Sequence, residues 1–294
     1  MSKKYEAISF LRKDKKYSVV LLCRVIGVSK SGYYAYLNRE KRPVSKEDKK
    51  LLKLIKHVYR VNRGTYGAKR ISKELKSKGT IVNHKKVARM MREANLKAKV
   101  RCKKTTKEGK SSSAGFVYEN HLERDFDADH PNQKWVTDMT ELWVETRKIY
   151  ISAVMDLFNR EIIAFVMSDS PNLQLIKDTI EEARKKRKLK TLEGVLIHSD
   201  QGSVYRSLMY NNLSKELKFT PSMSRKANCW DNAVIESFFS QLKTEFPCFY
   251  PNYSRKSYKH DLLSYIKRFN EKRIQKKLGF ISPKTYYLQY KKGA

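Results

Sequence analysis

From Lys134 onward, three runs rich in β-forming residues follow one another with only a few residues between them: KWVTDMTELWV, KIYISAVMDLF and EIIAFVMS. Gaps that short leave room for hairpins, so the runs predict an antiparallel meander. A helical stretch, NLQLIKDTIEEARKKRK, and a short apolar run, GVLIHSD, come next, which predicts a crossover onto the same sheet. Two further helical stretches, RSLMYNNLSKEL and NAVIESFFSQLKTE, complete an α/β core.

Hairpin strands followed by alternating helix and strand is the order of a ribonuclease-H-like fold, a mixed sheet with flanking helices. The expected organisation is a helix-turn-helix-like region over residues 1–44, a second small helical region over 45–101, a linker over 102–130, the core over 131–250 and a basic helical extension over 251–294. In the first region YSVVLLCRVIG and VSKSGYYAYLNR flank Gly27 and Ser29, a stop and restart signal; SKEDKKLLKLIKHVYRV has helical spacing too. In the second, YGAKRISKELKSKG and NHKKVARMMREANL surround Gly79. Residues 102–130 are polar and without period.

Charge follows the same divisions. Of the net +34, residues 1–120 hold 34 lysines and arginines against 9 acids, 121–250 hold 18 against 19, and 251–294 hold 12 against 2. Basic arms around a neutral centre fit a protein that grips DNA phosphates; a ribosome-associated or chromatin-like packing protein is the weaker reading. No run approaches the roughly 18 apolar residues of a spanning helix, and the lysine-rich start lacks a signal-peptide pattern, so a cytoplasmic protein is expected. Cys23, Cys102, Cys229 and Cys248 are too scattered for a disulfide framework or a zinc site.

Three acids stand in apolar surroundings on three different elements: Asp138 in WVTDMTELW, Asp200 in VLIHSDQG and Glu236 in NAVIESFF. An acid in such company needs a cation or an upward pKa shift. Hard oxygen ligands favour Mg2+, with Mn2+ as a substitute, and a pair of such ions serves phosphodiester chemistry. Between Asp200 and Glu236 lie 35 residues, and Lys243 follows Glu236 by seven, which on a helix returns it to the same face, shared by Ser240. The residues expected to meet DNA are Lys243, Ser240, Lys30, Lys69, Arg70, Arg225, Lys226 and Arg273.

Other candidates have plainer readings. His198, Ser199 and Asp200 are the types of a hydrolase triad, but Ser199 points away from its neighbours and lacks a glycine-flanked elbow; His198 reads as a hydrogen-bonded core histidine. Asp156 reads as a strand-end turn acid, and otherwise as a fourth acid near the site. Asn228, Asp231 and Asn232 are expected to cap the helix of Glu236. Trp135 and Trp143 are expected in the core, whereas Trp230, in KANCWDNA, is balanced between packing and stacking on a base. GTYGAKR lacks the lysine-serine ending of a phosphate loop.

The blocks LCRVIGVSKSGYY, YGAKRI, WVTDMTEL, HSDQGSVY, SRKANCWDNAVIESFFSQLKTE and FNEKRIQKKLGFISP closely resemble the second-frame transposases of the insertion-sequence-3 family, relatives of retroviral integrases. The resemblance implies that Asp138, Asp200 and Glu236 are the acidic triad and Lys243 the basic residue that follows it. It also implies cleavage at inverted-repeat ends, joining of the freed 3′ end to another strand, and a dimer or larger assembly on DNA. An upstream-frame helix-turn-helix protein, or a fusion with it, is a further partner. Phe269 before Asn270 and Gln275 after Arg273 depart from the family pattern, and His121 and His130 lack the cysteine pair of an integrase zinc module, so no zinc is expected. A nuclease or resolvase that only hydrolyses, and a DNA-binding repressor, are the rival readings.

Overall fold

The computed structural model describes residues 2–12, 17–38, 45–99, 115–226, 228 and 230–293, and the chain divides into two compact units, 1–53 and 54–294. Ser111 to Ser113, Cys102 and Cys229 fall outside the described residues.

The smaller unit contains α1 (Ser2–Arg12), α2 (Val19–Ile26) and α3 (Lys30–Leu37). α2 stops at Gly27, whose φ of 67° is the left-handed conformation glycine adopts without strain, and α3 starts where Ser29 Oγ accepts from the Gly32 amide at 3.0 Å. This is the stop and restart read from the sequence. α1 was not anticipated; its Ile8 joins Leu22, Cys23 and Tyr33 in the small core. A Cβ at position 32 would lie 2.5 Å from the Tyr5 hydroxyl, so glycine permits that approach.

α4 (Lys46–Val61), within which the division falls, leads to α5 (Ala68–Ser77) and α6 (His84–Glu93), whose Ile71, Leu75, Val87, Met90 and Met91 are buried. The sheet follows: β1 (Lys134–Val144), β2 (Arg147–Asp156) and β3 (Glu161–Ser168) form the expected antiparallel meander. After α7 (Leu173–Lys186), β4 (Leu196–Ser199) crosses over to lie parallel to β1. α8 (Leu208–Leu217) then leads to β5 (Thr220–Met223), parallel to β4, in the order β3-β2-β1-β4-β5. β5 escaped the sequence reading because Pro221 demotes a strand; proline is tolerated there because β5 is at the edge.

Alternation along the strands sorts side chains onto two faces. Trp135, Val154, Ile163, Ala164 and Ile197 pack with Ile176 and Ile180 of α7 and Leu213 of α8. Val136, Ile149, Ile151, Ala153 and Met155 pack on the opposite face with α9 (Ala233–Phe249) and α10 (Tyr258–Glu271). The register shift at Val154/Met155 leaves Ile163 as an extra residue in β3. The exposed edge of β3 is satisfied by a side chain: Asn270 Oδ1 accepts from the Ile162 amide at 2.9 Å while its Nδ2 donates to the Ile162 carbonyl at 2.8 Å.

Two segments differ from expectation. Residues 115–130, read as linker, pack on the core: Leu122 is buried in it, the Phe116 amide donates to the Arg206 carbonyl and the His121 amide to Ser222 Oγ. Residues 251–294, read as an extension, send Leu262, Tyr265 and Phe269 of α10 into the same core as Phe238 and Phe246 of α9; α11 (Pro283–Gly293) follows. The many lysines there face solvent and mask the apolar stripe.

Candidate active site

β1 and β4 set the positions of the two aspartates. Their parallel register pairs Lys134 with Leu196 and Val136 with His198, an offset of 62 residues. Continued by two residues, that register brings Asp138 level with Asp200 on neighbouring strands about 4.8 Å apart. Val136, and hence Asp138 two residues on, is on the α9 side of the sheet. Glu236 sits in the first turn of α9, beside the buried Ile235, and Ser240 and Lys243 follow at helical spacing.

The electrostatics agree with that construction. Asp138 is raised well above the ordinary carboxylate range, first by burial and then by Asp200, with Glu236 adding and Lys243 opposing. Burial raises Asp200, against a hydrogen bond from the Gly202 amide at 2.9 Å. Partial desolvation, then Asp200, raises Glu236. Asp200 thus acts on both of the other carboxylates, and Glu236 on Asp138, which makes the three electrostatic neighbours. Among the described residues, no three His, Cys, Asp or Glu side chains close into a cage for a single ion. The donor set is all oxygen, which suits a hard cation that keeps part of its water shell.

Tyr205, missed in the sequence, is buried with its hydroxyl 3.4 Å from Thr137 Oγ1; burial, then Asp138 and Asp200, push it well above its usual range. Its signal was the aromatic five residues after Asp200. Gly202 has a role of its own: a Cβ there would stand 2.9 Å from Asp200 Oδ1.

His198 is buried between Ser222 Oγ, 2.9 Å from Nδ1, and Ser224 Oγ, 3.1 Å from Nε2, and burial lowers its pKa to about 4. It is the core histidine expected. Asp156 lies opposite Trp135, three residues and about 10 Å along the strand from Asp138's partner Ala153. There it accepts from the Asn132 and Phe158 amides and from Arg187 at 3.0 Å, as a structural turn acid.

Several expectations are corrected. Asn232 holds the N-cap position of α9 without a side-chain cap bond. Asp231 instead accepts from Arg124 Nε at 2.8 Å, from Arg225 Nε and Nη2 at 3.0 Å, and from Asn120 Nδ2 at 3.0 Å. Asn228 Oδ1 takes the Trp230 amide. Trp143 is 54% exposed, not core, with the Lys148 ammonium 5.3 Å above its ring. Arg273, expected at DNA, is 4% exposed and committed to Glu245, with Nη2 to Oε1 at 2.6 Å and Nε to Oε2 at 2.9 Å.

The other basic positions reach the surface to different degrees. Lys30, Lys69, Arg225 and Lys226 are exposed; Arg70 is half-buried, 5.6 Å over the Tyr66 ring; Lys243 and Ser240 are half-buried. No helix among the described residues is long and apolar enough to cross a membrane.

Family comparisons fall on these same regions. An integrase core domain matches residues 128–229, a second integrase core domain model matches 236–290, and an HTH-like domain matches 46–104, over α4 to α6. The putative transposase InsK for insertion sequence element IS150 of Escherichia coli is 40% identical over 267 residues, covering 90% of this chain and 92% of that protein. The transposase InsF for insertion sequence IS3A of the same species is 32% identical over 283 residues, covering 94% and 96%. Among solved structures, a simian T-cell lymphotropic virus intasome aligns over 80% of this chain and 73% of its own at 13% identity and a TM-score of 0.47. With near-complete coverage of relatives at that identity, and with integrase core models over the sheet and over α9, the chain belongs to the insertion-sequence-3 family of transposases.

Proposed function

We propose that this chain cuts DNA at the inverted-repeat ends of its own element and joins the freed 3′ ends to target DNA, with Asp138, Asp200 and Glu236 as the catalytic, metal-binding carboxylates. The observation that carries the reading is the placement of these three acids, Asp138 on β1, Asp200 directly after the neighbouring β4 and Glu236 in the first turn of α9, with the Asp200 charge acting on both Asp138 and Glu236. The fit to Mg2+, with Mn2+ as a substitute and two ions as the full complement, rests on the all-oxygen donor set. When bound, such ions supply charge stabilisation at the attacking and leaving oxygens of a phosphodiester.

The protein's own groups do the rest. The Gly202 amide donates to one oxygen of Asp200, which aims the other. Lys243, whose charge acts on Asp138, offers a cation to the scissile phosphate, with Ser240 beside it. Lys30, Lys69, Arg70, Arg225 and Lys226 supply sequence-independent grip on the backbone. Two ends must be held together, so the working form is a homodimer or larger assembly on DNA in the bacterial cytoplasm, alone or with an upstream-frame helix-turn-helix protein.

The test is strand joining of a terminal inverted-repeat duplex to a plasmid in Mg2+, with Asp138→Asn, Asp200→Asn and Glu236→Gln. Loss of several kcal/mol of charge stabilisation predicts a fall of at least about 10³-fold for each, with end binding retained. Chelation should stop the reaction and Mn2+ restore it, and sizing of the bound complex should show two ends. An Asp200→Asn protein that joins ends at the normal rate refutes the assignment. Hydrolysis without joining would favour a nuclease, and binding without cleavage a repressor.

A further inference from the structure

Resting on that reading, the geometry points to Trp230 as a stacking platform for an unpaired base of the DNA strand led to the carboxylates. Its indole is 69% exposed, against 0% for Trp135, and among the described residues no aromatic ring or cation lies over it. Trp143, the other exposed tryptophan, has its ring taken by Lys148. An exposed large apolar ring in an otherwise polar loop calls for a ligand with a flat apolar face.

The loop is braced. The next residue, Asp231, is inaccessible to solvent and is held by Arg225 from within the loop and by Asn120 and Arg124 from the segment packed on the core. The Trp230 amide is itself bonded to Asn228 Oδ1 at 3.3 Å. Anchoring Asp231 and the Trp230 amide in advance lowers the ordering cost of a contact made by this side chain.

Chemistry then selects the ligand. Arg225 and Arg124, both bonded to the adjacent Asp231, keep about half of their side-chain surface in solvent, 58% and 46%, and Lys226 is exposed, so exposed cations gather about the residue next to Trp230. A flat π face beside positive charge matches a nucleotide, base on the ring and phosphate on the rim. In a paired duplex the base face is covered by its neighbours, so the ligand must be unpaired. Trp230 stands two residues before the N-cap of α9, the helix whose first turn carries Glu236, so a strand that meets this ring is led toward that helix end.

The experiment measures affinity of the full chain for the terminal inverted-repeat duplex in two forms: fully paired, and with two unpaired nucleotides at the end. Trp230→Ala should bind the unpaired form about tenfold more weakly than the unaltered protein, the worth of one base–aromatic stack, and the paired form equally well. Trp230→Phe should recover most of the loss. Removing the unpaired bases from the probe should weaken the unaltered protein by the same factor and Trp230→Ala no further. Equal affinities of the alanine variant and the unaltered protein for the unpaired form, or equal weakening on both forms, overturn the inference. In either case loss of joining by Asp200→Asn leaves the carboxylate assignment standing. Failure of the unaltered protein to bind either probe overturns both.

Discussion

Replacing Arg273 with methionine should destabilise the larger unit by about 3–5 kcal/mol, because it strands a buried carboxylate. Arg273 and Glu245 have 5% and 8% of their side-chain surface exposed, and the guanidinium donates to both Glu245 oxygens. With the arginine gone, Glu245 keeps the Tyr265 hydroxyl at 3.2 Å and no counter-charge from Arg273. At about 2–4 °C per kcal/mol for a unit of this size, thermal denaturation followed by circular dichroism should shift down by about 10 °C. Removing both charges, with Arg273→Met and Glu245→Leu together, should recover most of that, giving a coupling of about 3 kcal/mol in a double-mutant cycle. The slope of DNA affinity against salt should stay unchanged in Arg273→Met, whereas loss of a phosphate contact would reduce it by about 0.9. An unshifted melting temperature together with a reduced salt slope would return Arg273 to the DNA surface and refute the argument.

Other outcomes follow from the same geometry. Gly202→Ala should abolish most strand joining while leaving unfolding stability within about 1 kcal/mol, since the new Cβ displaces only the Asp200 carboxylate; equal losses in both would contradict it. Asp231 is held well below the usual carboxylate range, first by Arg225 and then by Arg124. A depressed native pKa gives stability that is complete above the unfolded value near 4 and is lost as pH falls below it. Asp231→Asn should therefore cost about 1–3 kcal/mol at pH 7, and the gap in melting temperature should narrow below about pH 4; a constant gap would count against the pairing. DNA affinity should fall by about 10³-fold or more between 50 and 200 mM salt, as counterion release at several phosphates requires, and an affinity insensitive to salt would exclude the basic arms as the grip.

The meander, the crossover, and the identity and spacing of the three acids were all legible along the chain, because each depends on residues close in sequence. Strand alternation, short gaps and the Gly27–Ser29 signal are local, and local backbone preference expresses them directly. Motif blocks such as HSDQGSVY carried the family for the same reason. Reading failed where neighbours in space decide. Arg273, in EKRIQKK, reads as one more cation for DNA until α9 brings Glu245 against it. Trp143 sits in a run as apolar as that of Trp135, yet only Trp135 is covered, by α7 and α8. Asp231 looks like a helix cap until Arg124, more than a hundred residues earlier in the chain, reaches it.

Taken alone, the order of residues determined most of the strands and helices, α1 and β5 excepted, that the middle is acidic enough to offset its own lysines, and which carboxylates stand in apolar company. Tertiary structure decided that β1 and β4 lie side by side at a 62-residue offset, which brings the ends bearing Asp138 and Asp200 together, and that α9, with Glu236 in its first turn, packs on the same sheet. It also decided which cations face water and which are spent inside. The difference is physical: backbone preference acts over a few residues, whereas burial, pairing and mutual charge depend on surfaces that meet only when distant parts of the chain pack together.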